Sequence, residues 1–432
     1  MSRYTVAIFL LGLVALIGIA ALASASQAAN LNSTRPRSLG GTPTALPGEA
    51  LPPRVVTEAV TSAINQPVSM AFDPSGRLFV IERGGAVRLI VGGVLQPEPV
   101  IVFEVDTCVE RGLVGLALDP AFEQNHYIYV HYTPFSFCST TTSKVSRFVE
   151  QNGVGSNPVT IFSSTFNSIF HTGNNLHFGP DGKLYISTGD NNDARNAQDV
   201  TVKHGKMHRI NPDGTIPPDN PVFTQTGALP SIYAIGLRNS FDFTFDRVVT
   251  GRIFATENGP SCDDEMNRVE AGWNYGWRQP YPCDDTQSGG PDPTYNTIPP
   301  LWSLSRASCC VSPTGIEVYS GTLISEWQYE LFMCSYNDGV LRHLYLSDDR
   351  LRLTGEAAIT GVTCNLDLAT APDGSLYYIQ AGGTQSGTIV RLARPGGPPT
   401  ATPTRTPTRT PTRTGTASAI PSPTDTRPPT ST

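Results

Sequence analysis

The chain has 432 residues, a formal net charge of −7 and charged residues of mixed sign with no basic stripe, which argues against a nucleic-acid partner. Forty glycines and 37 prolines, with no long stretch of helical periodicity, exclude a helix bundle. The seven histidines form no His-Glu-x-x-His and the eight cysteines no Cys-x-x-Cys, so the common zinc centres are excluded as well.

Residues Met1–Ala25 carry one early cation (Arg3), an apolar run from Val6 to Ala21 and the small residues Ala23-Ser24-Ala25. This pattern predicts a secretory signal peptide cut near Ala25, and hence a secreted, periplasmic or cell-surface protein. The alternative is a retained membrane anchor. Residues 26–52 are rich in Ser, Thr and Pro and predict a linker. The core, residues 53–394, repeats one pattern: an apolar alternation, a turn built on Asp-Pro or Pro-Asp-Gly, and a second strand rich in Leu, Tyr, Ile and Val. The copies are Met70–Val80, Leu116–Val130, Leu176–Ile186, Phe243–Phe254, the stretch around Gly315–Tyr319, and Leu368–Ile379. Each is a hairpin signature. Regular repetition predicts an all-β, six-bladed β-propeller with four-stranded antiparallel blades. The alternative, a β-sandwich, is usually far shorter.

With a leader present, an even number of cysteines predicts disulfides. Cys108–Cys138, Cys262–Cys283 and Cys334–Cys364 would each close a loop of about twenty to thirty residues. Cys309 and Cys310 are then left either as a vicinal pair or with two other partners. Residues 395–432 contain the repeat Thr-Pro-Thr-Arg and almost no aliphatic or aromatic side chain. Such a tail cannot bury enough apolar surface to offset chain entropy and predicts an extended, disordered spacer. Sugars on its threonines, a stand-off from a cell surface, and cell-surface or glycan association through the tail are all open readings.

The span richest in chemistry runs from Gly236-Leu237-Arg238-Asn239, through Glu257-Asn258-Gly259-Pro260 and Asp263-Asp264-Glu265, to Asn274-Tyr275-Gly276-Trp277. A Gly-Pro turn exposes carbonyl oxygens, because proline has no N–H and glycine tolerates unusual dihedrals. Carbonyls and carboxylates together suit calcium. Arg238 suits an anion or a developing negative charge. The competing readings are a solvated acidic loop, and a structural ion pair of Arg238 with Glu257 or Asp264. The run Asp263–Glu265 reads better as a pin for the loop than as a ligand set.

These motifs, together with Glu110–Ala117, His171-Thr172-Gly173-Asn174, Phe178–Tyr185, Thr188-Gly189-Asp190, Gly205–Gly214 and Ser312–Gly315, resemble in order and spacing the soluble quinoprotein glucose/sorbosone dehydrogenases. That family includes aldose sugar dehydrogenases and the propeller of hedgehog-interacting proteins. The resemblance implies pyrroloquinoline quinone (PQQ) at the mouth of a central channel, with calcium on the carbonyls of Gly259 and Pro260. It implies that His171 takes the proton of a sugar C1 hydroxyl, with Arg238 and Asn239 beside the quinone. Glu110 and Asn191 join them as cofactor-binding candidates.

The chain also departs from the pattern. Where quinone-binding relatives carry a stretch like Arg-x-Arg-Asp-Val, it reads Cys364-Asn365-Leu366-Asp367-Leu368, and Ser335–Gly339 lacks an expected lysine. Arg111, Arg195 and Arg342 are the cations that could replace them. The expected function is an exported aldose dehydrogenase forming a lactone from a small sugar. The alternative is a non-catalytic secreted propeller that binds a glycan or protein.

Overall fold

The computed structural model describes residues 44–173, 175–260, 263–277, 298–304, 310–382 and 386–395. Six antiparallel sheets form the blades of a β-propeller. The first blade contains Pro67–Phe72, Leu78–Glu82 and Ala86–Val91, with Val94–Leu95 and Ile101–Val102 at its edge. The second contains Leu113–Leu118, Tyr127–Tyr132, Thr141–Gln151 and Val154–Phe166. The third is Leu176–Phe178, Leu184–Thr188, Lys206–Ile210 and Ile232–Ile235, and the fourth Phe243–Phe245, Ile253–Glu257, Glu265–Val269 and Trp302–Ser303. The fifth is Pro313–Val318, Leu331–Ser335, Val340–Leu346 and Leu353–Thr363. The sixth takes Leu368–Thr370, Leu376–Gly382 and Ser386–Ala393 from the end of the core and Val56–Ile64 from its start. This last pairing closes the ring and removes the free edge.

Every predicted hairpin supplies the two innermost strands of one blade. The second strands of four blades, Leu78–Glu82, Leu184–Thr188, Ile253–Glu257 and Leu331–Ser335, are buried at every position. They lie between neighbouring blades, so both faces are dry and their sequences are apolar without strict alternation. Phe79 with Phe148, Tyr129 with Leu184, Ile253 with Met207, Phe254 with Met333, Trp327 with Tyr378, and Val80 with Ile379 fill the successive interfaces. The fifth hairpin, the weakest repeat in the sequence, replaces the tight turn with a longer link that includes a 3-10 turn at Ser325–Trp327.

Around the channel, side chains from the blade-to-blade crossings tie the innermost strands together. Asn175 Oδ1 accepts the N–H of Leu116 at 3.2 Å, Asp242 Oδ2 that of Ile316 at 3.2 Å, and Asp367 Oδ2 that of Met70 at 2.7 Å. His177 Nε2 meets Asp242 Oδ1 at 2.8 Å.

Part of the segment read as a linker is ordered. Thr44–Ala45 pair in parallel with Gly355–Glu356 of the fifth blade, and Glu49 accepts from His343 Nδ1 and the Tyr345 hydroxyl, both at 2.7 Å. A polar composition hid this strap, because its contacts are mostly backbone pairing and one half-buried carboxylate, with Leu51 as its apolar contact to the core. Cys108–Cys138 and Cys334–Cys364 are disulfides, and Cys310 is also disulfide-bonded. Among the described residues no cysteine is free. Cys262, Cys283, Cys309, the leader and the tail beyond Pro395 lie outside the described residues.

Candidate active site

Strand direction alternates within each blade, so two sets of connections emerge at the same end of the channel. These are the loops from second to third strand and the crossings to the next innermost strand. The crossings carry Glu110, His171, Arg238 and Asn239; the loops carry Asp190, Asn191, Gly259 and Pro260. Residues far apart in sequence therefore share one mouth.

His171 is 5% exposed and adopts a left-handed backbone, φ +52°. Its N–H donates to Glu110 Oε2 at 2.6 Å, and its carbonyl accepts from Asn191 N at 3.2 Å. Gly189 packs against it: a Cβ there would lie 2.5 Å from the His171 carbonyl oxygen. Nδ1 lies 2.6 Å from Asp190 Oδ1. A carboxylate at that distance fixes the Nδ1–H tautomer and leaves the Nε2 lone pair for a substrate. Asp190 is itself held: Trp277 Nε1 donates to its Oδ2 at 2.7 Å, Asn192 N to its Oδ1 at 2.8 Å, and its own N–H goes to the Arg238 carbonyl at 2.8 Å.

Arg238 meets the same tryptophan, its guanidinium carbon 5.5 Å from a Trp277 ring centroid. Its Nη1 donates to the Asn258 carbonyl at 2.8 Å. The N–H groups of Arg238 and Asn239 and the Ser240 hydroxyl all donate to Glu257. Burial lifts the Glu257 carboxyl to about 7, against the pull of those donors and of Arg238. Burial also lowers the Arg238 value.

Beneath Arg238 is a cavity of about 10 Å³, room for one small particle, lined in part by Gly259, Pro260, Glu257, Asp263 and Glu265. Asp264 behaves as the sequence predicts and pins the loop, accepting from Gly259 N at 3.0 Å and Ser312 N at 2.9 Å. Glu265 does not. It is 3% exposed, Oε1 has no partner, and burial followed by the neighbouring acids raises its carboxyl well above the usual range. An orphaned buried oxygen beside exposed carbonyls fits a hard cation.

Of the candidates, His171, Arg238, Gly259 and Pro260 converge. Glu110 and Asn191 are occupied in holding the His171 loop, since Asn191 Oδ1 accepts from Asn167 N at 3.2 Å and Ser168 N at 3.0 Å. Sequence reasoning left Asp190 and Trp277 unassigned and read Glu265 only as part of the loop pin. The only signal was their place inside quoted motifs, because the bonds that define them span 19 and 87 positions.

The replacement cations are committed elsewhere. Arg111 is fully buried and bonds Asp106, Ser136, Ser139 and Ser168; Arg195 pairs with Asp193 and Arg342 with Asp338. Cys364 is buried in its disulfide, and Leu366 packs against the cluster between the sixth and first blades.

The model of the Glucose / Sorbosone dehydrogenase family matches residues 64–391. The aldose sugar dehydrogenase YliI of Escherichia coli is 26% identical over 350 residues, covering 76% of this chain and 91% of that protein. Quinoprotein glucose dehydrogenase B of Acinetobacter calcoaceticus is 26% identical over 415 residues, covering 74% and 84%. The crystal structure of a putative oxidoreductase (glucose dehydrogenase) from Thermus thermophilus superposes with a TM-score of 0.67 at 27% identity, covering 78% of this chain and 99% of that one.

Proposed function

This chain belongs to the glucose/sorbosone dehydrogenase family, and on that premise we propose that it is an exported aldose dehydrogenase that oxidises the C1 hydroxyl of a sugar to a lactone. The observation that carries the reading is the His171–Asp190–Trp277 chain beside Arg238. His171 Nε2 takes the C1 hydroxyl proton. Asp190 keeps Nδ1 protonated and stabilises the imidazolium that results. Arg238 supplies fixed positive charge, in a site shielded from water, for negative charge that builds up on the electron acceptor.

The carbonyls of Gly259 and Pro260, with Glu265 behind them, would hold calcium. A calcium-bound PQQ supplies the acceptor for the C1 hydride when it is present. Gly259, Pro260 and Glu265 would hold the ion of such a group, and Arg238 would supply the positive charge for its reduced form. Its carboxylates find no cation in Arg111, Arg195, Arg342 or positions 364–368. That deficit favours one second reading, a propeller that binds a glycan or protein without turnover. The leader and the Cys108–Cys138 and Cys334–Cys364 disulfides support export.

The deciding experiment is reconstitution with PQQ and calcium, followed by dye reduction with a panel of aldoses. His171→Ala is expected to lower kcat by on the order of 10²–10⁴ with little change in KM, because the base acts mainly in the transition state. No uptake of quinone at micromolar concentration selects the second reading. Uptake and turnover that survive in His171→Ala remove His171 from the chemistry.

A further inference from the structure

The rim of the mouth beside His171 exposes aromatic rings that the proposed chemistry does not use. The loop joining the second and third strands of the second blade, Thr133–Thr140, presents Phe135 at 56% and Phe137 at 82% exposure, their rings in edge contact at 4.5 Å. Phe170, adjacent to His171 in the chain, is 40% exposed. Both loops emerge at the catalytic end of the channel.

The Phe135–Phe137 loop is held firmly. Cys108–Cys138 crosslinks it, Asp106 accepts from Ser136 Oγ and Cys138 N, and Arg111 bonds Ser136 and Ser139 on it and Ser168 in the His171 loop. Val109, Phe137, Cys138 and His171 all adopt positive φ, a conformation costly for residues with side chains. A buried arginine network, a disulfide and local strain thus fix two phenyl rings in water, on a loop that Arg111 ties to the loop carrying the proposed base.

We propose that this rim is an outer subsite for the second and later sugar units of an oligosaccharide whose reducing end occupies the His171 site; the inference rests on the sugar-oxidising reading above. Oxidation at C1 directs the reducing end inward, so the rest of a chain must leave across the rim. The rim suits such an occupant. Residues 133–142 include no charged side chain; Ser136 separates the two phenylalanines, and Ser139, Thr140, Thr141 and Thr142 follow them. Flat aromatic faces beside hydroxyls match a pyranose, which has one apolar C–H face and polar edges. A charged ligand would find no partner in this loop.

The test compares the parent protein with a Phe135→Ala/Phe137→Ala double variant, both exposed positions away from the proposed base. Calorimetric titration with cellotetraose, maltotetraose and glucose reads binding without requiring turnover, and kinetics with the reconstituted enzyme reads KM. The expected result is tighter binding of a tetraose than of glucose by the parent. The variant should lose on the order of ten-fold for the tetraose in Kd and KM, with glucose and Tm unchanged. Equal effects on tetraose and glucose, or none on either, overturn the proposal. So does loss of a dimer in the variant by sedimentation, which would make the rings a self-association patch. Glucose oxidation without preferential tetraose binding sinks the subsite and leaves the dehydrogenase reading intact. Ring-dependent tetraose binding without oxidation keeps the subsite and removes the dehydrogenase.

Discussion

Trp277 joins the two halves of the site through single contacts: its Nε1–H fixes Asp190, and its ring backs Arg238. Trp277→Phe keeps the ring and deletes the donor. It is expected to lower kcat by roughly ten-fold, the usual scale for a partner that orients a functional side chain, with KM nearly unchanged. Trp277→Ala should raise KM as well, because Arg238 loses its support. Equal kcat in Trp277→Phe and the parent would remove the hydrogen bond from the mechanism. At the cation cavity, Glu265→Gln removes a buried, incompletely satisfied carboxyl while keeping its shape. The apo protein should be as stable or more so. The gain on adding calcium, about 2.7 kcal/mol at a hundredfold excess over Kd for the parent, should shrink or vanish. An identical calcium shift in both proteins, read as Tm, places the ion elsewhere.

At the scale of the strands, the channel is stitched by carboxylates whose protonation differs between folded and unfolded chains. Burial, then the nearby Asp242, pushes the Asp367 carboxyl up to about 8, and burial also raises Glu317. Burial works against protonated His177, yet Asp242, Asp367 and Glu317 raise it on balance. All three groups hold protons more tightly when folded, so their contribution is full below the unfolded values and drains as pH rises through the folded ones. Asp106 and Asp338, held low by their donors against burial, act in the opposite sense at acid pH. The difference between parent and Asp367→Asn reads Asp367 together with the part of the His177 shift that Asp367 causes. The variant loses an acceptor for a backbone N–H, costing about 1–3 kcal/mol. Its stability should nevertheless fall less than the parent's between about pH 4 and 8, as measured by urea unfolding. Parallel curves would refute the assignment.

For the whole molecule, the ring is closed by one strand from its start. Deleting the chain through Ile64 strips the partner from Ser386–Ala393 and uncovers a full strand edge. That truncation should abolish cooperative unfolding and drive aggregation. Deletion of residues 396–432 lies beyond the compact unit that ends at Pro395 and removes almost no apolar surface. Its Tm should match the parent's by calorimetry. A clear drop would mean that the tail packs on the domain.

The sequence by itself determined the fold class, because a blade's two inner strands are a local hairpin and hairpin signals lie within a dozen or so residues. It also placed His171, Arg238, Gly259 and Pro260 in one family pattern, and two of its disulfide pairings stand. The tertiary structure decided what each polar residue faces. Asp190 and Trp277 reach His171 only because antiparallel blades return distant loops to one end of the channel. Glu110 and Asn191 bond the His171 loop, Glu265 is left with an orphaned oxygen, and Arg111 is spent on buried bonds. Composition and turn chemistry are set by neighbours in the chain; hydrogen-bond partners and burial are set by neighbours in space, and at this site those come from crossings and loops of several different blades.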